Sequence, residues 1–376
     1  MRIIIAGGGP AAVEAAVTIR QYDQISSVDI YSEENVLPYR RLLLPAVLAK
    51  TIPLERLQIH PAEFYRQHNI NIHQAESVTG IDTRHNTVIL QSGKVKPFDR
   101  LLVATGRPAR KLTAPPVVSD RIFSLHTVDD VEKIEQTLQQ ATSAVVIGGG
   151  VLGLECAEAL LKRNLQVTVI EQNNSILRGT LDSECSAFLQ KQLLLDSNLT
   201  IYTNSSLANI SLHNRQLACS LNNTTRTIYT DFIISSIGLS PARDLGIELA
   251  TDEFLRIRGS NNIYAAGDCA VICNQMNCYY KSACMQGRIA GENITGGMKK
   301  YNALPEECRS ILNNTAFYSA GFCDEKICEA AAERSGKSLK KLFYRQNKLV
   351  GCMLIGNIQD AGELYSIILN HHFCSS

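Results

Sequence analysis

The sequence carries almost no surplus charge and no long apolar run. Lys and Arg total 37 against 36 Asp and Glu, a formal charge of +1. The basic footprint of a nucleic-acid binder is therefore missing, and no nucleic-acid partner is expected. No apolar stretch reaches the roughly 20 residues needed to cross a bilayer as a helix, so no membrane span is expected. The apolar N-terminus, MRIIIAGGGPAAVEAAV, is broken by Gly7-Gly8-Gly9-Pro10 and is followed by no convincing cleavage site. It reads as strand, turn and helix rather than as a signal peptide, and the expected location is the cytoplasm. Low-complexity stretches are also missing.

What is present is length and apolar mass. A chain of 376 residues, 45% of them hydrophobic, suits two or three domains with real cores. Its twelve cysteines are read as reduced thiols, because a chain of this size needs no disulfide framework. Cys269, Cys273, Cys278 and Cys284 are close in sequence, but their spacing matches no common iron–sulfur pattern. No metal site is expected.

Two segments have the layout of dinucleotide-binding βαβ units. In the first, Arg2 to Ala6 is a β-branched run, as in a buried parallel strand. Gly7 and Gly9 permit a tight turn and close approach of a pyrophosphate, and Ala12 takes the third glycine position. The helix that follows points its N-terminal N–H groups at the phosphate. A second strand, Val28 to Tyr31, leads to Glu33 as the ribose-binding acid, with Glu34 as the alternative.

The second unit is more complete. Ala144 to Ile147 is the strand, and Gly148, Gly150 and Gly153 form the full G-x-G-x-x-G. Val151 to Arg163 has helical spacing and Asn164 suits its end. Gln166 to Ile170 is the next strand, tipped by Glu171. A carboxylate there accepts hydrogen bonds from both ribose hydroxyls of NADH and repels the extra phosphate of NADPH. No arginine follows immediately to reverse that preference, so NADH is the expected donor.

Other segments resemble those of the pyridine-nucleotide flavoprotein reductases. Asp99 to Gly106, with Ala104-Thr105-Gly106, resembles their ATG segment. Asn262 to Cys269, with Gly267-Asp268, resembles the second FAD segment, whose aspartate holds the ribityl chain. Ala283 with Gln286-Gly287 resembles the A-x-x-Q-G helix beside the flavin, and Gly238 to Pro241 the G-x-x-P return turn. Leu37 to Leu44 resembles a Y-x-R-x-x-L stretch, which implies Arg41 over the flavin or its pyrophosphate. Val78 falls where the family brackets the adenine. Glu155 matches a glutamate near the nicotinamide. Some relatives pair that glutamate with a lysine, but Pro45 and Ala46 occupy the corresponding region here. Relatives often carry tryptophan near Tyr280, and this chain has none.

The resemblance is strongest to NADH:rubredoxin reductases and to the flavoprotein part of NADH-dependent nitrite reductase. It implies an α/β fold of two Rossmann-like domains, one inserted in the other, plus a small C-terminal α/β domain. The expected spans are 1–112 and 235–300 for FAD, 113–234 for NAD and 301–376 for the C-terminal part, with Pro115-Pro116 at the first crossing. FAD and NADH are the implied cofactors, with Glu155 and Arg41 as the catalytic pair. The first cysteine is Cys156, and no C-x-x-C occurs. Dithiol chemistry by the family's usual routes is therefore not expected.

The implied acceptor is a small acidic iron-containing carrier such as rubredoxin. A flavin-only NADH oxidase or peroxidase, or a flavin subunit of a larger complex, are the alternatives. Arg334, Lys337, Lys340, Lys341, Arg345 and Lys348 form a basic stretch that either steers such a carrier or is an ordinary solvated face.

Overall fold

The computed structural model describes residues 1–113, 116–272, 275–276 and 278–373. Pro115, one half of the expected crossing, lies outside them, while Pro116 opens a short 3-10 turn. The chain divides into two compact units. One comprises Met1–Leu43, Pro53–Pro108 and Leu239–Ala303. The other comprises Leu44–Ile52, Ala109–Gly238 and Leu304–Ser376.

The first unit is built on a five-stranded parallel sheet. Its order is Ile263–Ala265, Arg100–Val103, Arg2–Ala6, Ser27–Tyr31 and Ile70–His73. Ile3, Ile4 and Ile5 are at most 3% exposed, as expected for a parallel strand covered on both faces. The helix Pro10–Tyr22 buries six apolar residues, four of them alanines. Those small side chains let the helix Tyr280–Ile294 come close. A β-carbon on Gly287 would lie 2.3 Å from the Ala11 carbonyl oxygen, and one on Gly291 would lie 2.6 Å from that of Ala15. A three-stranded antiparallel sheet, Val78–Asp82, Thr87–Leu90 and Val95–Pro97, completes the α/β pattern.

The second unit repeats the parallel plan, in the order Leu199–Tyr202, Gln166–Ile170, Ser143–Ile147, Phe232–Ser235 and Ile122–Phe123. The helix Val151–Lys162 follows its glycine turn, and Asn164 leaves it with φ +62°. The short helix Leu44–Leu48 is held in this unit by Arg163. That guanidinium donates to the Leu48 carbonyl at 3.0 Å and pairs with Glu135 at 2.5 Å.

The C-terminal part is a five-stranded antiparallel sheet with the helix Ala361–Phe373. Strand Lys348–Ile355 is its buried centre. The basic stretch does not survive as one solvated patch. Along strand Ser338–Arg345 residues alternate, and Lys341 turns inward between Leu339 and Phe343 at 3% exposed. Its Nζ lies 2.6 Å from Asp182, 2.8 Å from Glu184 and 2.6 Å from Glu325. Burial opposes the charge, yet the three carboxylates hold the lysine pKa above its usual value. Arg334 pairs with Glu184 and Lys340 with Asp360. Half of the six cations are therefore committed to acids of the same unit.

Candidate nucleotide-binding sites

Each parallel sheet ends in a glycine turn, and the two turns are built alike. Gly7 has φ +116°, and a β-carbon there would lie 2.1 Å from the Ala104 carbonyl oxygen. Gly148 has φ +107°, and its β-carbon would lie 2.2 Å from that of Ser236. Only glycine combines that backbone with that approach. The second glycine of each motif has the opposite surroundings. A β-carbon on Gly9 or Gly150 would meet nothing within 4 Å. Those positions are small although the protein itself does not require it, as expected where a phosphate approaches.

The helices that follow have unserved N-termini. Neither Gly9 nor Gly150 supplies a capping side chain, and Pro10 has no N–H to offer. Elsewhere in the chain, Thr127 caps Val128–Leu138 and Asp182 caps Ser183–Leu193. An anion is the natural partner for the two uncapped starts.

In the first unit, Gly267 donates to Gln286 Oε1 at 2.7 Å, which fixes the second FAD-like segment on the helix that carries Ala283. Asp268, next to it, accepts no hydrogen bond from the described residues. Burial pushes its carboxyl up, with Arg107 and Arg41 opposing. Thr105 Oγ1 is buried without a hydrogen-bond partner among the described residues. An orphaned hydroxyl and a carboxylate without a donor suit a polyhydroxyl chain such as ribityl. Gly106, φ +65°, has open space where a β-carbon would be. Val78 is 2% exposed, and the pairing of its strand slips between Val78 and Gly80.

The acids of this unit are arranged less simply. Glu33, 63% exposed at its side chain, pairs with Arg243 at 2.7 Å. Glu34 accepts from Tyr39 Oη at 2.7 Å and from Arg41 at 2.7 Å, while the Arg41 guanidinium stacks 5.2 Å from the Tyr39 ring. Arg107 was not singled out in the sequence. It donates to the Ser240 carbonyl at 2.7 Å and lends positive charge to Asp268.

In the second unit, Gly153 packs so closely that a β-carbon would lie 1.9 Å from the Gly148 carbonyl oxygen. Glu171 is 7% exposed. Its Oε2 accepts from the Gly149 N–H at 2.6 Å, and its Oε1 accepts from the Asn173 N–H at 2.7 Å and Asn173 Nδ2 at 2.6 Å. The acid is thus locked to the glycine turn, with both lone-pair sites of Oε1 taken and one remaining on Oε2. Gly238 has φ +92° and accepts from the Arg110 N–H at 3.0 Å.

Glu155, five residues into the helix, accepts from Ser310 Oγ at 2.7 Å. Burial lifts its pKa, and the serine opposes the lift. Glu158, on the same helix face, accepts from the Asn313 N–H at 2.8 Å. The partner of Glu155 therefore comes from a C-terminal hairpin, 155 residues away, and nothing in the sequence pointed to Ser310.

No disulfide joins any two of the described cysteines. Cys273 of the close-set cysteine group lies outside the described residues, and among the described residues no cluster is arranged to hold a metal. Burial pushes the Cys156 thiol far above its usual value and that of Cys308 up to about 12, so neither is primed for attack. No described helix is long and apolar enough to cross a membrane.

Residues 1–291 match the family model described as pyridine nucleotide-disulphide oxidoreductase. A rubredoxin-NAD(+) reductase of Pseudomonas putida is 27% identical over 97% of this chain and 98% of its own length. Another from Ectopseudomonas oleovorans is 30% identical over 73% of each chain. The structure of NADH:rubredoxin oxidoreductase from Clostridium acetobutylicum superposes with a TM-score of 0.79. It is 24% identical and covers 98% of this chain and 94% of that one; at this identity the likeness speaks for the fold.

Proposed function

The chain belongs to the pyridine nucleotide-disulphide oxidoreductase family, and from that premise we propose that it draws electrons from NADH and passes them to a small acidic iron-containing carrier such as rubredoxin. It is an FAD- and NAD(H)-dependent oxidoreductase. FAD, when bound, supplies the chemistry: it accepts a hydride and releases the electrons onward.

The first unit is assigned to FAD. Gly7, Gly9 and Ala12 receive its pyrophosphate, Thr105 and Asp268 its ribityl hydroxyls, and Glu33 or Glu34 the ribose. Ala104, Gly106, Gly267 and Ala283 leave room for the rest, and Val78 borders the adenine. The second unit is assigned to NADH, with Gly148, Gly150 and Gly153 at the pyrophosphate and Glu171 at the ribose. Gly238 carries the return turn. Glu155 orients the nicotinamide carboxamide, held by Ser310, and Arg41 neutralises charge on the flavin side. These residues position and shield; their contribution is alignment rather than proton transfer.

The observation that carries this reading is the pair of open glycine positions, Gly9 and Gly150, each at an uncapped helix start. The carrier is supported by a rubredoxin-NAD(+) reductase that matches this chain nearly end to end, and by the lack of any C-x-x-C in the sequence. Described cysteines that form no disulfide with one another suit a reducing compartment, and the cytoplasm is proposed.

An anaerobic titration tests the reading. NADH should bleach the yellow protein faster than NADPH at equal concentration, and oxidised rubredoxin should restore the colour. Fast oxygen consumption without a carrier would favour an oxidase instead. Rapid bleaching with slow turnover on every small acceptor would favour a subunit of a larger complex.

A further inference from the structure

Behind the second glycine turn stands a lysine of the C-terminal sheet. Gly149, the residue between Gly148 and Gly150, is walled by Glu171 and Ile176. A β-carbon on it would lie 3.1 Å from the Glu171 β-carbon and 3.2 Å from an Ile176 methyl. Ile176 belongs to an irregular loop, residues 172–181, that runs from Glu171 to the helix Ser183–Leu193. The loop is pinned to the turn, because the Leu177 N–H donates to the Gly149 carbonyl at 2.8 Å. The helix holds it from behind: Ser186 Oγ, in a fully buried residue, donates to the Ile176 carbonyl at 2.8 Å. The wall of the glycine turn therefore stands where the first turn of that helix puts it.

That first turn is itself held by Lys341. Asp182 divides its carboxylate between two tasks. Oδ1 caps the helix by accepting from the Cys185 N–H at 2.8 Å, and Oδ2 lies 2.6 Å from the Lys341 ammonium. Glu184 lies 2.8 Å from the same ammonium. The Asp182 N–H donates to Met353 Sδ at 3.4 Å, and Met353 is the cross-strand neighbour of Lys341. One pair of facing side chains thus grips both the backbone and the carboxylate of Asp182. The third acid, Glu325, comes from the loop between the strands Thr315–Gly321 and Glu329–Ser335 and lies 2.6 Å from Lys341. Without the ammonium, Asp182 and Glu184 would face a strand whose Leu339 and Phe343 are fully buried. Unpaired carboxylates are unfavourable there, so the helix start would move.

We infer that Lys341 is a positioning residue of the NADH site: by fixing the start of the helix Ser183–Leu193 it sets the wall of the second glycine turn, and with it the nucleotide affinity. The inference rests on the assignment of NADH to that turn. Lys341 acts through Asp182 and Ser186 rather than on the nucleotide itself, by keeping the cradle in its binding shape before the ligand arrives. It gives the C-terminal sheet a second grip on the site, beside the one by which Ser310 holds Glu155.

Calorimetric titration of the FAD-loaded protein with ADP-ribose tests this, with the partners of Lys341 removed one at a time. Asp182→Asn keeps a good helix cap and gives up only the ion pair. Its dissociation constant should rise about tenfold. Glu325→Gln removes a half-exposed acid that is not on the helix, and the constant should stay within about twofold. Lys341→Met should raise it at least as much as Asp182→Asn, and Lys341→Arg should recover part of that loss. In turnover the loss should fall on KM for NADH, with kcat at saturating NADH within about twofold. A purely structural role would instead lower flavin content and melting temperature, without separating Asp182 from Glu325. A native constant in Asp182→Asn, or equal shifts in Asp182→Asn and Glu325→Gln, would overturn the inference while leaving the NADH site standing. Failure of ADP-ribose to bind the unaltered protein would overturn the site assignment itself.

Discussion

The two glycine turns follow one plan, yet they differ in what holds them. The first turn sits under a second helix of its own unit, where Gly287 and Gly291 of Tyr280–Ile294 ride on the backbone of Pro10–Tyr22. Its third motif position can be Ala12, fully buried. The second turn is covered by the segment after its acid, where the Leu177 N–H donates to the Gly149 carbonyl at 2.8 Å. Its own helix also closes onto it, with Gly153 against the Gly148 carbonyl. The acids differ as well: Glu33 is exposed and paired with Arg243, whereas Glu171 is buried and tied to Gly149. Packing around the first turn suits a cofactor that stays. The second turn, whose acid is fixed to its own backbone, suits a nucleotide that comes and goes.

Exchanging the third positions should break this comparison most visibly. Gly153→Ala puts a methyl 1.9 Å from a carbonyl oxygen, which should cost about 3 kcal/mol and abolish NADH binding while the protein remains yellow. Ala12→Gly should cost only about 1 kcal/mol and keep both nucleotides. Urea unfolding with flavin absorbance reads both. Equal losses at the two sites would mean that the turns are packed alike.

A smaller effect is expected at Glu155. Its pKa is raised by burial, so the folded state holds the proton more tightly than the unfolded one. The stability this gives is complete below the ordinary carboxylate value of 4.5 and is lost as pH rises through the folded pKa. Glu155→Gln does not titrate, so its melting temperature should gain on that of the native protein as pH rises, by a few degrees at most. Ser310→Ala removes the hydrogen bond that opposes the shift and should move the titration to higher pH. A difference between Glu155→Gln and the native protein that is constant from pH 4 to 8 would contradict the assignment.

Much of this was legible before any coordinates. A β-branched run, a glycine turn and an apolar helix are local patterns, so both cradles could be read from consecutive residues. Glu171 could be read as well, because the βαβ unit fixes its distance from the glycines. The partners of these residues were not legible. Ser310 reaches Glu155 through a hairpin far along the chain. Strand alternation was the missing element for the basic stretch, since it sends Lys341 inward and Lys340 to the opposite face. The grouping of Leu44–Ile52 with the second unit depends on Arg163 and Glu135, and neither is near it in sequence.

The central claim is that Gly9 and Gly150 are glycines for the sake of a ligand and not of the fold. The direct test is to make Gly9→Ala and Gly150→Ala and to measure flavin content and ADP-ribose affinity side by side. Because both added methyls enter open space, each flavin-free protein should unfold within about 0.5 kcal/mol of the native one. Gly9→Ala should lose flavin, and Gly150→Ala should keep it but bind ADP-ribose at least about tenfold more weakly. Native flavin content and native affinity in both variants would contradict the account.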